Sequence, residues 1–513
     1  MPLLGRIIKA GLGIRDKIAF DRLSPIQHQQ RELKKLMRMA QFTMFGQHYR
    51  FTDMLDKRNF MKHFRDTVPV HDYNSIFSKW WNKCLHEAED VCWPGRVKYF
   101  ALSSGTSDSS SKHIPVTNDI LKSIRKASVK QLYTLAKYDL PESFFQRGVL
   151  ALGGSTHLNQ KGRYFEGDLS GITTKNMPFY FHHWYKPGRK ISKSQDWNAK
   201  LDEITVNAKD WDIGILIGVP AWTQLLIEKI LSYYNLKSIH ELWPNLQLYI
   251  HGGVSFDPYR KSFESFLNKP IYYLETYLAS EGFIGFQDEP HSKNMRLLID
   301  NGLFFEFIPF NLENFNTSGE LIRKPQTLLI NEVKENEDYA LILSSPAGAW
   351  RYLIGDTIRF TDVHRCQIII TGRTTHFLSL CGEHLSLDNM NKAIELVSDE
   401  LDIEIPEFTV AGVPHATLFA HKWYIGTDES PDPLILRNLI DEKLKILNDD
   451  YRVERGSALK DIIVEVVPTS YFYAWMDLNG KTGSQNKFPR VMKKKQFGLW
   501  EDFVAKEKLR AIA

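Results

Sequence analysis

Cysteine is scarce. Cys84, Cys92, Cys366 and Cys381 are the only four in 513 residues, and none form a Cys-x-x-Cys pair. That excludes a disulfide scaffold and a paired-thiolate zinc site, and it points to a reducing, cytoplasmic setting. No charge of one sign dominates: 65 Lys+Arg against 61 Asp+Glu leave +4, so no global field favours nucleic acid or an anionic membrane. The longest suggestive apolar stretch, Ile213 to Ile227, contains Pro220 and falls short of the roughly 20 residues that cross a bilayer; it reads as a buried strand and turn. At the start, Leu4, Ile7, Ile8 and Leu12 recur at helical intervals among Arg6, Lys9 and Arg15 without a cleavage site, which predicts a docked amphipathic helix rather than a targeting segment. Internal repeats, Gly-x-Ser-x-Gly elbows and His-Glu-x-x-His motifs are also missing. The adjacent pair His182-His183 reads as packing or surface rather than a metal site.

What is present suits a large folded chain. Hydrophobic residues make up 43% and aromatics 12%, enough to bury a sizeable core. The length alone predicts about three domains or two large ones. The first hundred residues are helical in pattern, with Leu33, Leu36, Met37 and Ala40 on one face. From Val97 strands and helices alternate, the mark of an α/β architecture. Strands are expected at 97–102, 148–153, 213–218, 246–252, 270–277, 302–310, 339–345 and 366–372, several as apolar runs that suit strands covered on both faces. After Gly372 the pattern restarts as a smaller α+β unit.

Four stretches could carry chemistry. Ser103-Ser104-Gly105-Thr106-Ser107 runs on to Lys112, and small residues, hydroxyls and one cation are what a polyphosphate needs. A Ser/Thr/Gly-rich loop is more often a plain turn, and the Walker A spacing fails here and at Gly480-Lys481-Thr482. In Tyr277-Leu278-Ala279-Ser280-Glu281, a carboxylate beside a hydroxyl can hold Mg²⁺ and a tyrosine can face a base; a solvated strand end explains it equally. In Tyr352-Leu353-Ile354-Gly355-Asp356 the carboxylate suits the vicinal hydroxyls of a ribose, with a Gly-Asp turn as the ordinary alternative. Lys487 stands alone in a Gly/Ser loop and could reach a cleft, whereas Lys493, Lys494 and Lys495 read as a solvated face.

In this order the motifs resemble the adenylate-forming superfamily, and most closely the auxin-responsive acyl acid amido synthetases of plants and their bacterial relatives. AQFTMFGQHYRF, VPVHDYNSI, WPGRVKYFALSSGTS, GVPAW and GEHLS extend the likeness over nearly the whole chain. The resemblance implies an α/β fold with a large multi-sheet adenylating domain, 1–378, and a smaller mobile α+β cap, 379–513, turning near Leu380 to Glu383. It implies ATP and Mg²⁺, and a ligase that joins a small carboxylic acid to an amine, with an amino acid the favoured acceptor. An acyl-CoA ligase and an inactive nucleotide binder are the competing readings. On the matching positions, Ser103, Ser104, Gly105, Thr106, Ser107 and Lys112 would bind phosphates. Tyr277, Ser280 and Glu281 would face adenine and hold the metal. Asp356, with Arg373 beside it, would hold ribose, and Lys487 would swing to the reacting groups. Ser109, Leu353 and Ala279 depart from residues common in the family at these positions. Trp222, His157 and Phe179 could line an acyl pocket, although aromatic residues are more often core.

Overall fold

The computed structural model describes residues 23–103, 112–253, 256–316, 319–322, 324–374, 378, 385, 387–415, 418–448, 451–452, 455, 459–480, 488–492 and 494–512. The segment expected to form the first amphipathic helix lies outside them, as does Cys381.

The Pro25–Ala40 helix starts where the sequence supplies a stop for its free N–H groups. Ser24 Oγ accepts from Gln27 N at 3.4 Å, Gln27 Oε1 accepts from Ser24 N at 2.8 Å, and Pro25 fits the first turn. Its expected face is buried: Leu33, Leu36, Met37 and Ala40 are at most 2% exposed, the first three contributing roughly 1.5–3 kcal/mol each. Gln29 fastens this helix to the sheet behind it, donating to Ile299 O and Leu303 O and accepting from Phe305 N.

A four-stranded sheet runs β2 (Lys112–Val116), β1 (Tyr99–Ser103), β5 (Tyr164–Gly167), β4 (Asn159–Lys161). An eleven-stranded sheet begins with β12 (Phe304–Pro309), β13 (Asp338–Ser345), β14 (Ala349–Asp362), β15 (Gln367–Arg373) and β11 (Met295–Leu297). It continues through β10 (Gly282–Phe286), β9 (Tyr272–Ala279), β8 (Leu248–Gly252), β7 (Ile213–Gly218), β3 (Gly148–Ala151) and β6 (Tyr185–Lys186). Its β3, β7, β8 and β9 are parallel and the rest is antiparallel apart from β6. The apolar runs at 213–218 and 248–252 are these central parallel strands, with helices packed on one face and the main core on the other. The expected turn after Gly218 is instead a helix, Pro220–Tyr234: Pro220 suits its first turn, and Trp222, Leu226, Ile227 and Ile230 are buried.

A three-stranded sheet, β16 (Glu407–His415), β17 (Leu418–Gly426) and β18 (Leu459–Val467), forms the C-terminal unit with its own core of Ile394, Phe408, Trp423 and Ile440. A second core spans both units: Trp222, Tyr249 and Phe263 cluster with Phe472, Trp475, Phe488 and Trp500. Polar links cross the same seam. Tyr259 Oη donates to Glu407 Oε1 at 2.7 Å, and Lys261 Nζ pairs with Asp402 at 2.5 Å.

Candidate active site

β1 and β2 form a hairpin in which Ser103 and Lys112 are register partners, so they fix both ends of the 104–111 segment. Ser104, Gly105, Thr106 and Ser107 lie outside the described residues, and Ser103 is described through its backbone as the end of β1. Lys112 starts β2 with its ammonium 5.4 Å from the centroid of the Tyr73 ring. Tyr73 is itself fixed, its hydroxyl accepting from His113 N at 2.9 Å. Burial lowers the Lys112 pKa, and Glu281 is the strongest influence opposing that shift.

Glu281 follows β9 at the turn into β10 and is 7% exposed; Ser280 beside it is half-buried. Burial raises the Glu281 pKa and the charge of Asp356 adds to this, while its own backbone N–H, Lys112 and Arg373 pull it down. A buried carboxylate in that state gains most from a further cation.

Asp356 is aimed by a bulge. β13 pairs Ile342 with Leu353 and Ala340 with Thr357, so Leu341 alone faces Ile354, Gly355 and Asp356. Gly355 makes the kink with φ of 88°, a conformation that costs a side-chain-bearing residue roughly 1–2 kcal/mol. The Gly-Asp pair is therefore not a turn but a break inside a long strand. Arg373 is the register partner of Asp356 on β15, and its Nε lies 2.9 Å from Asp356 Oδ1. Tyr277 Oη donates to Asp356 Oδ2 at 2.5 Å. The tyrosine read from sequence as a ring face thus also orients the carboxylate, and Arg373 is its direct ion-pair partner.

Lys112, Tyr277, Glu281, Asp356 and Arg373 therefore converge from both N-terminal sheets, with Tyr277 and Glu281 buried, Lys112 and Asp356 half-buried and the Arg373 side chain 42% exposed. Lys487 lies outside the described residues. Trp222 is 3% exposed and packs on Trp197 at 5.4 Å, whereas His157 is exposed and Phe179 is 81% exposed. Leu353 sits in β14 opposite Ile342, and Ala279 ends β9.

Two groups carry no role in the sequence reading. Tyr352, 2% exposed, faces Glu281: burial first, then that carboxylate's charge, hold its hydroxyl protonated well above the ordinary range. Glu275 is the register partner of His251 and two residues from Tyr277. Burial, with Asp257 adding to it, pushes the Glu275 carboxyl up to about 7 from 4.5. Between those values the native state holds a proton that the unfolded chain has released. This contribution is full below about 4.5 and is lost as pH rises through about 7, a swing of up to about 3 kcal/mol. Glu275→Gln, fixed in the neutral form, is expected to be more stable than the parent at pH 8 and equal to it at pH 4.5 in urea unfolding. Equal stability at both pH values counts against the shift.

Three family descriptions cover most of the chain. The GH3 family N-terminal domain matches residues 16–206, the GH3 family central domain 296–371 and the GH3 family C-terminal domain 388–496. A jasmonoyl-L-amino acid synthetase of Nicotiana attenuata is 28% identical over 192 residues, 35% of this chain and 32% of its own length. An indole-3-acetic acid-amido synthetase of Arabidopsis thaliana is 24% identical over 429 residues, 77% of this chain and 69% of that one. Among solved structures, the GH3.15 acyl acid amido synthetase has a TM-score of 0.77 at 17% identity, covering 97% of this chain and 96% of that chain. A 2-hydroxyisobutyryl-CoA ligase in the postadenylation state has a TM-score of 0.56 at 11% identity, covering 93% and 91%. At these identities the two structures share a fold with this chain.

Proposed function

Because this chain belongs to the GH3 family, we propose that it is an ATP-dependent, adenylate-forming ligase that joins a small carboxylic acid to an amine of the amino-acid class. The single observation that carries this reading is the convergence of Lys112, Tyr277, Glu281, Asp356 and Arg373 on one site.

A carboxylate resists attack by an amine because its charge repels electrons and its oxygen leaves poorly. Attack of that carboxylate on the α-phosphorus of ATP forms the acyl-phosphate bond and expels pyrophosphate. An amine then attacks the acyl carbon, forming the amide and expelling AMP. The protein's task is positioning and charge stabilisation. Asp356, held by Tyr277 and Arg373, accepts from the ribose hydroxyls. Lys112 and the loop after Ser103, with Ser104, Gly105, Thr106 and Ser107, hold the departing phosphates. Glu281 suits Mg²⁺, which needs only one or two carboxylates when phosphates fill its remaining positions; that ion would neutralise phosphate charge. Tyr352 orients the Glu281 carboxylate. Tyr352→Phe is expected to raise the Mg²⁺ concentration for half-maximal activity about tenfold, the worth of one hydrogen bond to a charged group. An unchanged Mg²⁺ requirement removes that role.

We further propose two units, 1–378 and 379–513, that change orientation between the half-reactions. The contacts of Tyr259 with Glu407 and of Lys261 with Asp402 belong to one orientation. A short bis-maleimide joining K261C to D402C is expected to permit one half-reaction and block the other, and full turnover in the linked protein speaks against rotation. Among the described residues no helix is long and apolar enough to cross a membrane. Charge balance and cysteine usage support a cytoplasmic enzyme acting on small molecules rather than nucleic acid.

The acceptor is tested by supplying a panel of carboxylic acids with ATP and either amino acids or CoA, with products identified by mass. Amides are expected. Thioesters alone favour the acyl-CoA ligase reading, and no product from any acid favours the inactive binder.

A further inference from the structure

The VPVHDYNSI stretch, 68–76, has no part in the reaction as read above, yet the fold builds it into the site. β15 pairs with β14 only from Asp356 onward, which leaves the earlier part of that strand edge open. The stretch takes that edge. His71 N donates to Arg351 O at 2.9 Å, Leu353 N donates to His71 O at 2.8 Å, and His71 Nδ1 donates to Trp350 O at 2.8 Å. Asp72 then caps the helix that starts at Tyr73, its Oδ1 accepting from Ser75 N at 2.8 Å.

That helix widens at once. Over Phe77–Trp81 it makes a π-turn, with Asn82 N donating to Phe77 O five residues back. In a regular α-helix, residues eight apart diverge by about 80° around the axis, because about 3.6 residues fill a turn. The wider turn removes most of that divergence and lines Tyr73, Phe77 and Trp81 along one face. Tyr73 stacks on Phe77 at 5.2 Å and meets Trp81 edge-on at 6.2 Å. Trp81 is pinned by its Nε1, which donates to Gly348 O at 3.2 Å, and its ring packs on Tyr352 at 5.4 Å. This aromatic row therefore ends at the two groups that matter for phosphate. Tyr352 faces Glu281, and the Tyr73 ring centroid lies 5.4 Å from the Lys112 ammonium.

We propose that Tyr73 is a positioning residue for the nucleotide site, its ring holding the Lys112 ammonium where the departing phosphates lie. The inference rests on the reading of Lys112 as a phosphate ligand. Glu281, Asp72 and Asp356 attract that ammonium and Arg373 repels it. Among the described residues none hydrogen-bonds to it, so the ring face is the contact that locates it. A ring attracts an ammonium without taking up its charge as a paired carboxylate would, and the cation stays available to phosphate oxygens.

The test is calorimetry on the full chain with Mg·ATP and, separately, with AMP, which lacks the two phosphates that Lys112 would meet. Tyr73→Leu is expected to weaken Mg·ATP about tenfold, the scale of a partly desolvated cation–ring contact, and to leave AMP within about twofold. Tyr73→Phe keeps the ring, gives up only the bond from His113 N, and is expected to restore most of the Mg·ATP affinity. In a Lys112→Met background, Tyr73→Leu is expected to add no further loss. Urea unfolding certifies that each variant is folded, and Tyr73→Met takes the place of Tyr73→Leu if leucine unfolds the segment. Parental Mg·ATP affinity in Tyr73→Leu overturns the proposal. So does an equal loss for AMP, a loss in Tyr73→Phe as large as in Tyr73→Leu, or an undiminished loss in the Lys112→Met background. In those cases the parent still binds Mg·ATP; a parent that binds none overturns the reading of the site as well.

Discussion

Lys487→Ala is expected to keep the fold and lose acid-dependent adenylation by about two orders of magnitude or more. The base of the segment that carries this lysine is firmly held. Phe488 is 5% exposed and packs on the rings of Phe472, Trp475 and Trp500 at 4.6, 5.5 and 5.0 Å. Arg490 Nη1 reaches Glu407 Oε2 at 2.6 Å, Val410 N donates to Arg490 O, and Met492 N donates to Val410 O. These contacts anchor the chain just beyond Lys487, so removing the lysine side chain disturbs none of them. On the proposed mechanism its ammonium neutralises charge that grows at the α-phosphate. Losing one such preorganised charge typically costs 10²–10³ in rate. Lys487→Arg keeps the charge but not the reach of a point cation, and an intermediate rate is expected. Acid-dependent pyrophosphate release measured for both variants checks this, and a parental rate in Lys487→Ala excludes the role.

Arg351→Met is expected to cost about 3–5 kcal/mol of stability, the usual penalty for leaving one member of a buried ion pair alone. Arg351 is 2% exposed and Glu306 fully buried; Nε lies 2.9 Å from Oε2 and Nη2 2.8 Å from Oε1. The remaining valences are filled as well. Nη1 donates to Arg65 O and Val68 O, and Thr327 Oγ1 donates to Glu306 Oε1. The arginine thereby fastens β14 to β12 and to the end of the Phe60–Thr67 helix, only five residues before Asp356. A loss of this size is a large share of the 5–15 kcal/mol that holds a typical domain. Pairing Arg351→Met with Glu306→Leu removes the stranded carboxylate and is expected to restore most of the loss. Urea unfolding of the three proteins decides it: a single variant within about 1 kcal/mol of the parent contradicts the clamp.

Legibility followed physical cause. The strands at 213–218, 248–252 and 338–345 were visible because burial on both faces demands unbroken apolar runs. Short strands such as 185–186 and 295–297 carry too few residues for any period to emerge, and 112–116 is opened by Lys112 and His113 and interrupted by Pro115. β14 was hidden because its bulge at Gly355 imitates a turn. The Thr469–Leu478 helix is rich in aromatic residues, which mimic strand composition, and the lysines at 494 and 495 mark the exposed start of a helix whose Phe497 and Trp500 are buried. At the site, residue types and their order were readable. The pairing of Tyr277 with Asp356 was not, because 79 residues separate them and only the sheet order brings β9 and β14 to one place. Glu275 leaves no motif at all, since its shift depends on what packs around it.

The central claim is that the cluster of Lys112, Tyr277, Glu281, Asp356 and Arg373 activates a carboxylic acid as an acyl-adenylate, and isotope exchange between pyrophosphate and ATP reads that step without needing the acceptor. With a panel of small carboxylic acids and Mg²⁺, exchange is expected to depend on at least one acid, to proceed without any amine, and to vanish in Asp356→Ala. Exchange that needs no acid, or that survives in Asp356→Ala at the parental rate, contradicts the account.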